Sequence, residues 1–153
     1  MNLDISDWKS FKVASIFSIR NGRGITTEEI EENKGSFIAV QSGEQNNGAI
    51  GKIDINYCKA MSYIFSETSC LTVARTGSAG FVSFQEDGCV VGDSAKLLLL
   101  DEAVATNERY IFIQTLLNAN RFKYSYGRKV TEKKYMNDLI DLPVLRDISN
   151  EVI

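Results

Sequence analysis

The chain has 153 residues, 44% hydrophobic and 24% charged, and its 17 Lys and Arg against 20 Asp and Glu leave a net charge of −3. This fits one globular domain, 1–153, able to bury about two-thirds of its unfolded surface. No stretch approaches the ~20 apolar residues of a membrane span, and no N-terminal run reads as a signal peptide.

Residues 8–20 (WKSFKVASIFSIR) place Val13, Ile16 or Phe17, and Ile19 inward, as a strand-turn-strand or as a short helix. Residues 21–24 (NGRG) are a turn. Thr26 followed by Glu29 has capping-box spacing and opens a short helix through about Asn33. Lys34-Gly35 ends it, and 36–41 (SFIAVQ) is a strand. Within 42–51 (SGEQNNGAIG), Asn47-Gly48 is a hairpin signal, because both residues tolerate positive φ. The runs 70–75 (CLTVAR) and 81–84 (FVSF), separated by 76–80 (TGSAG), predict a second hairpin. Val90-Val91 and 96–100 (KLLLL) read as buried strands around a turn at Gly92-Asp93. Between 107 and 120, Tyr110, Ile111, Ile113, Gln114, Leu116 and Leu117 recur at helical spacing, and Thr106 or Asn107 caps the start. A shorter helix is expected over about 131–138, before 140–144 (IDLPV) extends to the single proline. The expectation is an α+β domain with a curved, mostly antiparallel sheet and about three helices.

The chain contains no histidine, so Ser-His-Asp and Cys-His mechanisms are excluded within it. Cys58, Cys70 and Cys89 are odd in number and share no CxxC spacing; they read as small buried hydrophobes in a reducing cytoplasm. Neither Gly22-Arg23-Gly24 nor Gly77-Ser78-Ala79-Gly80 continues into a dinucleotide or P-loop motif. Glu28, Glu29, Glu31 and Glu32 read as a solvated helix face. No catalytic residue, metal site or cofactor is expected, and the chain is expected in the cytoplasm.

Binding features stand out more. Residues 121–134 hold six Lys and Arg against one Glu, +5 in a chain of net −3, so the remainder carries −8. Tyr124 and Tyr126 lie among Arg128, Lys129, Lys133 and Lys134 in that segment, a pattern suited to a phosphate backbone. Gln41, Ser42, Gln45, Asn46 and Asn47 supply groups of the kind that pair with adenine in a major groove. Arg75, Thr76 and Ser78 belong to a loop whose small residues admit close backbone approach, with Arg75 available to guanine or phosphate. Each feature also has a plain reading, as a polar hairpin or a solvated basic surface.

Taken in order, residues 8–26 (WKSFKVASIFSIRNGRGIT), 37–48 (FIAVQSGEQNNG), 71–85 (LTVARTGSAGFVSFQ) and 124–144 (YSYGRKVTEKKYMNDLIDLPV) resemble one target recognition domain of the specificity (S) subunit of type I restriction-modification systems. The recognition domains of fused type IIB and IIG restriction enzymes are similar. The resemblance covers roughly residues 8 to 144. It implies a non-catalytic domain that reads one half of a bipartite double-stranded DNA target, with adenine-N6 methylation supplied by a methyltransferase (M) subunit and cleavage by a restriction (R) subunit. A complete S subunit has two such domains and long spacer helices, so the resemblance also implies a second recognition domain or a homodimer. An alternative is a stand-alone relative that binds restriction subunits and interferes with restriction.

Overall fold

The computed structural model describes residues 8–76, 79–119 and 139–142. It is α+β, with strand pairing that is antiparallel except for one pair. Strands β1 (Lys9–Lys12) and β10 (Leu139–Leu142) form an antiparallel ribbon in which Lys9 lies opposite Leu142. The other strands fall into two four-stranded sheets. The first has the order β2 (Phe17–Asn21), β9 (Ala95–Leu100), β6 (Cys70–Ala74), β7 (Val82–Gln85). The second has the order β4 (Ala49–Ile53), β3 (Lys34–Val40), β8 (Cys89–Val91), β5 (Ile64–Ser66), with β3 and β8 parallel. Among the described residues the α-helices are α1 (Val13–Ile16), α2 (Thr27–Glu32), α3 (Ile55–Ala60) and α4 (Asn107–Ala119).

The two-residue period of a strand explains how these pieces stack. In β9, Leu98 and Leu100 face a core of Leu71, Val73, Val82, Tyr110, Ile113 and Leu117 beneath α4. The alternate residues Ala95 and Leu97 face Val40, Cys70, Cys89 and Val91, the seam between the two sheets. A strand covered on both faces favours a continuous apolar run, and this is why 97–100 (LLLL) carries no alternation; the buried Lys96 before it is bonded to Asn21. Strands β3 and β8 divide likewise: Val40 and Val91 point to the seam, while Ala39 and Val90 point to a third core with Ile25, Ile30, Ile53, Cys58 and Tyr63 under α2 and α3. The layers therefore run α4, first sheet, second sheet, α2 with α3. Cys58, Cys70 and Cys89 are fully buried, as expected from the sequence, and the Sγ atoms of Cys70 and Cys89 are 3.8 Å apart.

Local signals in the sequence correspond to observed geometry. The Thr26 hydroxyl accepts from Glu29 N at 3.1 Å, and the Asp54 carboxylate caps α3 through Asn56 N at 3.0 Å. Thr106 accepts from Arg109 N at 3.2 Å at the start of α4. Residues 8–20 contain both forms considered, with the single turn α1 between strands β1 and β2. The elements α3 and β5 were not anticipated. The helix expected over 131–138 lies outside the described residues. Among the described residues, no helix is long and apolar enough to cross a membrane.

Glu29 departs from its expected place on a solvated face. Its carboxylate accepts hydrogen bonds from the Tyr57 hydroxyl at 2.9 Å and from the Tyr63 hydroxyl, tying α2 to α3. The Tyr63 bond holds the Glu29 carboxyl below the usual carboxylate range, against the opposing effect of burial and with help from Tyr57. Burial, followed by the Glu29 hydrogen bond, pushes the Tyr63 phenol up. Glu28, Glu31 and Glu32 are exposed, as expected.

Candidate nucleic-acid interface

The registers bring four chain reversals to one end of the molecule. Asn21 at the end of β2 lies opposite Lys96, and Ala95 at the start of β9 lies opposite Ala74 at the end of β6. In the second sheet, Val40 and Val91 end β3 and β8 side by side. Residues 41–42, 75–76, 92–94 and 22–24 therefore emerge together.

Loop 41–48 is shaped by its asparagines and glycine. Asn46 and Asn47 take left-handed conformations with φ of 52° and 56°, and Gly48 follows at 77°. Asparagine and glycine tolerate this region best. Gln41 N donates to Gly48 O at 3.0 Å and closes the loop. Gln85 Nε2 donates to Asn47 O at 2.8 Å, fastening the loop to β7. The side chains of Gln45, Asn46 and Asn47 remain exposed, while Gln41 and Ser42 are half-buried.

The turn 92–94 runs beneath that loop. The Gln41 amide oxygen accepts from Ser94 N at 2.9 Å and from the Ser94 hydroxyl. Its Nε2 donates to Asp93 Oδ1 at 3.3 Å. The Ser94 hydroxyl in turn accepts from Ser42 N at 2.8 Å. On the other side, Arg75 N donates to Ser94 O at 2.8 Å. Two glycines permit these approaches: a Cβ on Gly22 would lie 2.0 Å from Gly92 O, and one on Gly92 would lie 2.0 Å from Gln41 Nε2.

Of the sequence candidates, Gln45, Asn46, Asn47 and Arg75 are thus exposed, with half-buried Thr76 beside Arg75. Gln41 is at the same end, but its amide is engaged inside the protein. Ser78, Tyr124, Tyr126, Arg128, Lys129, Lys133 and Lys134 lie outside the described residues. Sequence reading passed over Asp93, Ser94 and Gly22 as partners of these loops; the small, polar run 92–95 (GDSA) between two apolar strands was the available signal. Among the described residues, no three His, Cys, Asp or Glu side chains gather as metal ligands would.

Two polar loops, one with exposed amides and one with an exposed arginine, are thus joined at their first residues. The chain belongs to the family of type I restriction modification DNA specificity domains, whose family model matches residues 5–151. It is 25% identical over 139 residues to a Mycoplasma pneumoniae protein named "Putative type I specificity subunit S.MpnORF507P", a match covering 90% of this chain and 36% of that protein. Its fold is similar to that of the type I restriction-modification S subunit from M. genitalium, with a TM-score of 0.67 at 17% identity over 93% of this chain and 36% of that one. The HsdS subunit from Thermoanaerobacter tengcongensis gives 0.64 at 16% identity over 94% and 34%. The chain thus spans about a third of the length of these relatives.

Proposed function

We propose that residues 1–153 form one sequence-specific DNA recognition domain, equivalent to half of a specificity subunit, and that its loop end reads one half of a bipartite double-stranded target. The observation that carries this reading is that two loops bearing the exposed Gln45, Asn46, Asn47 and Arg75 are joined at their first residues through Ser94, and together hold side-chain types that pair with adenine and guanine edges. Thr76 and Ser78 follow Arg75 on the same loop. Tyr124, Tyr126, Arg128, Lys129, Lys133 and Lys134, in the segment carrying +5, grip the phosphate backbone. Family membership supports the same role. In this reading the chain supplies recognition without chemistry, a methyltransferase subunit supplies adenine-N6 methylation, and a restriction subunit supplies cleavage.

Selection from a randomised duplex pool, with the cognate methyltransferase present, is expected to enrich a motif of a few base pairs. Recovery of no motif would sink the proposal, and capture of restriction subunits without any DNA binding would favour the interfering relative. Gln45→Ala and Asn46→Ala are expected to relax preference at one or two positions, by about 1–3 kcal/mol each if the contact is bidentate. Arg128→Ala with Lys129→Ala is expected to weaken binding to all sequences, flattening the salt dependence by ~0.9 per lost phosphate contact.

A further inference from the structure

Ser94 sits between the two reading loops and touches both. Its hydroxyl donates to Gln41 Oε1 and accepts from Ser42 N, its N–H donates to the same Gln41 oxygen, and its carbonyl accepts from Arg75 N. Those four bonds involve the first two residues of loop 41–48 and the first residue of loop 75–81. The geometry points to Ser94 as a positioning residue that, acting through Gln41, sets the spacing between the amides at 45–47 and Arg75, and so the register in which they meet a duplex. This rests on the DNA-recognition reading above.

The physical argument is one of tolerance. Hydrogen-bond readout of a base edge fails when donor and acceptor move out of a window of a few tenths of an ångström or a few tens of degrees. The two loops belong to different sheets, β3–β4 in one and β6–β7 in the other. Links that cross between the sheets therefore bear on their separation, and the turn carrying Ser94 joins β8 of one sheet to β9 of the other. Gln41 is the side chain that crosses to this turn, while Gln85 of β7 holds the far side of loop 41–48 through Asn47 O. Its amide oxygen is shared by the Ser94 N–H and hydroxyl, and its Nε2 is held by Asp93. Gly92 leaves room for that amide: a Cβ there would meet only Gln41 side-chain atoms as its three nearest neighbours, at 2.0 to 2.4 Å.

The full chain with its methyltransferase tests this on the wild-type motif and on a scrambled duplex of the same composition. Ser94→Ala is expected to lower discrimination between the two duplexes about tenfold, the size of one lost hydrogen bond, while affinity for the scrambled duplex and the salt slope stay unchanged. Ser94→Thr, which keeps the hydroxyl, is expected to restore discrimination; a merely structural role would not produce this split. Gly92→Ala is expected to mimic Gln41→Ala, and to add little in the Gln41→Ala background, where the colliding amide is gone. Hydrogen exchange gives an answer without DNA: in Ser94→Ala the Ser42 amide is expected to exchange at least tenfold faster, with the global unfolding midpoint within error of wild type. Unchanged exchange at Ser42 would overturn the proposal, as would an unchanged preference in Ser94→Ala and Gly92→Ala. If the wild-type chain enriches no motif but Ser42 exchange does accelerate, the DNA reading has failed and takes the specificity role with it, leaving Ser94 a structural link.

Discussion

The two four-stranded sheets share one apolar seam, yet their outer faces are closed by different means. Over the first sheet lies a single 13-residue helix, α4, whose Tyr110, Ile113 and Leu117 pack on Leu71, Val73, Val82 and Leu98. That helix also serves the edge strand β7: Asn118 accepts from Val82 N at 2.7 Å and donates to Val82 O at 2.9 Å, and Gln114 donates to the same carbonyl at 3.1 Å. The free backbone groups of an edge are thereby satisfied by the covering helix. Over the second sheet lie two helices of six residues each, α2 and α3. Helices that short do not persist alone in water. Thr26 and Asp54 cap them, and the Glu29 carboxylate binds them together through Tyr57 and Tyr63. A long helix can close a sheet with apolar area, whereas short ones need polar links as well.

Substitutions on the two sides should separate these modes. The largest effect is expected from Leu98→Ala at the fully buried centre of the first core, which should cost about 3 kcal/mol through lost transfer energy and the cavity left behind, read as a fall in the urea midpoint. Tyr110→Phe retains that apolar packing and removes only the hydroxyl that accepts from Leu100 N at 2.9 Å. It is expected to cost about 1–2 kcal/mol, because a buried N–H loses its partner; a loss as large as that of Leu98→Ala would mean that polar links hold the first sheet too. Glu29→Gln on the second sheet is expected to cost on the order of 1 kcal/mol, since the carboxylate is only half-buried and solvent weakens its bonds.

Glu29 also predicts a dependence of stability on acid pH. Its pKa is lowered in the folded chain, chiefly by the Tyr63 hydroxyl. The stabilisation is therefore fully present above the ordinary carboxylate pKa, and is lost as pH falls below that value and through the depressed folded one. The wild-type midpoint should drop on acidification by more than that of Glu29→Gln, and parallel curves for the two proteins would assign the acid sensitivity to other carboxylates.

Much of the local structure was legible. The Thr26 to Glu29 spacing marks the start of α2 because a cap is a contact three residues long. Asn47 and Gly48 reveal the loop that closes β3 and β4 because their conformation is a property of those residues. Residues 107–119 show their helical period because one face of α4 is buried. The stretch 54–66 was overlooked, since β5 is short and α3 is only six residues long. Glu29 was misjudged because its partners lie 28 and 34 residues away. Gln41 was read as a base contact on its chemistry, but its amide is engaged 52 and 53 residues along the chain by Asp93 and Ser94.

By itself the amino-acid sequence determined the α+β class, the main strands and helix, the turn residues, the buried cysteines, the absence of histidine and the basic segment. All of these follow from residue type and short-range spacing. Only the tertiary structure decided that the strands divide into two sheets with a separate ribbon, that β3 and β8 run parallel, and that the loops at 41–48 and 75–81 meet across Ser94. Those outcomes depend on which apolar faces bury against each other and which polar groups then come within hydrogen-bond reach, and neither is a function of distance along the chain.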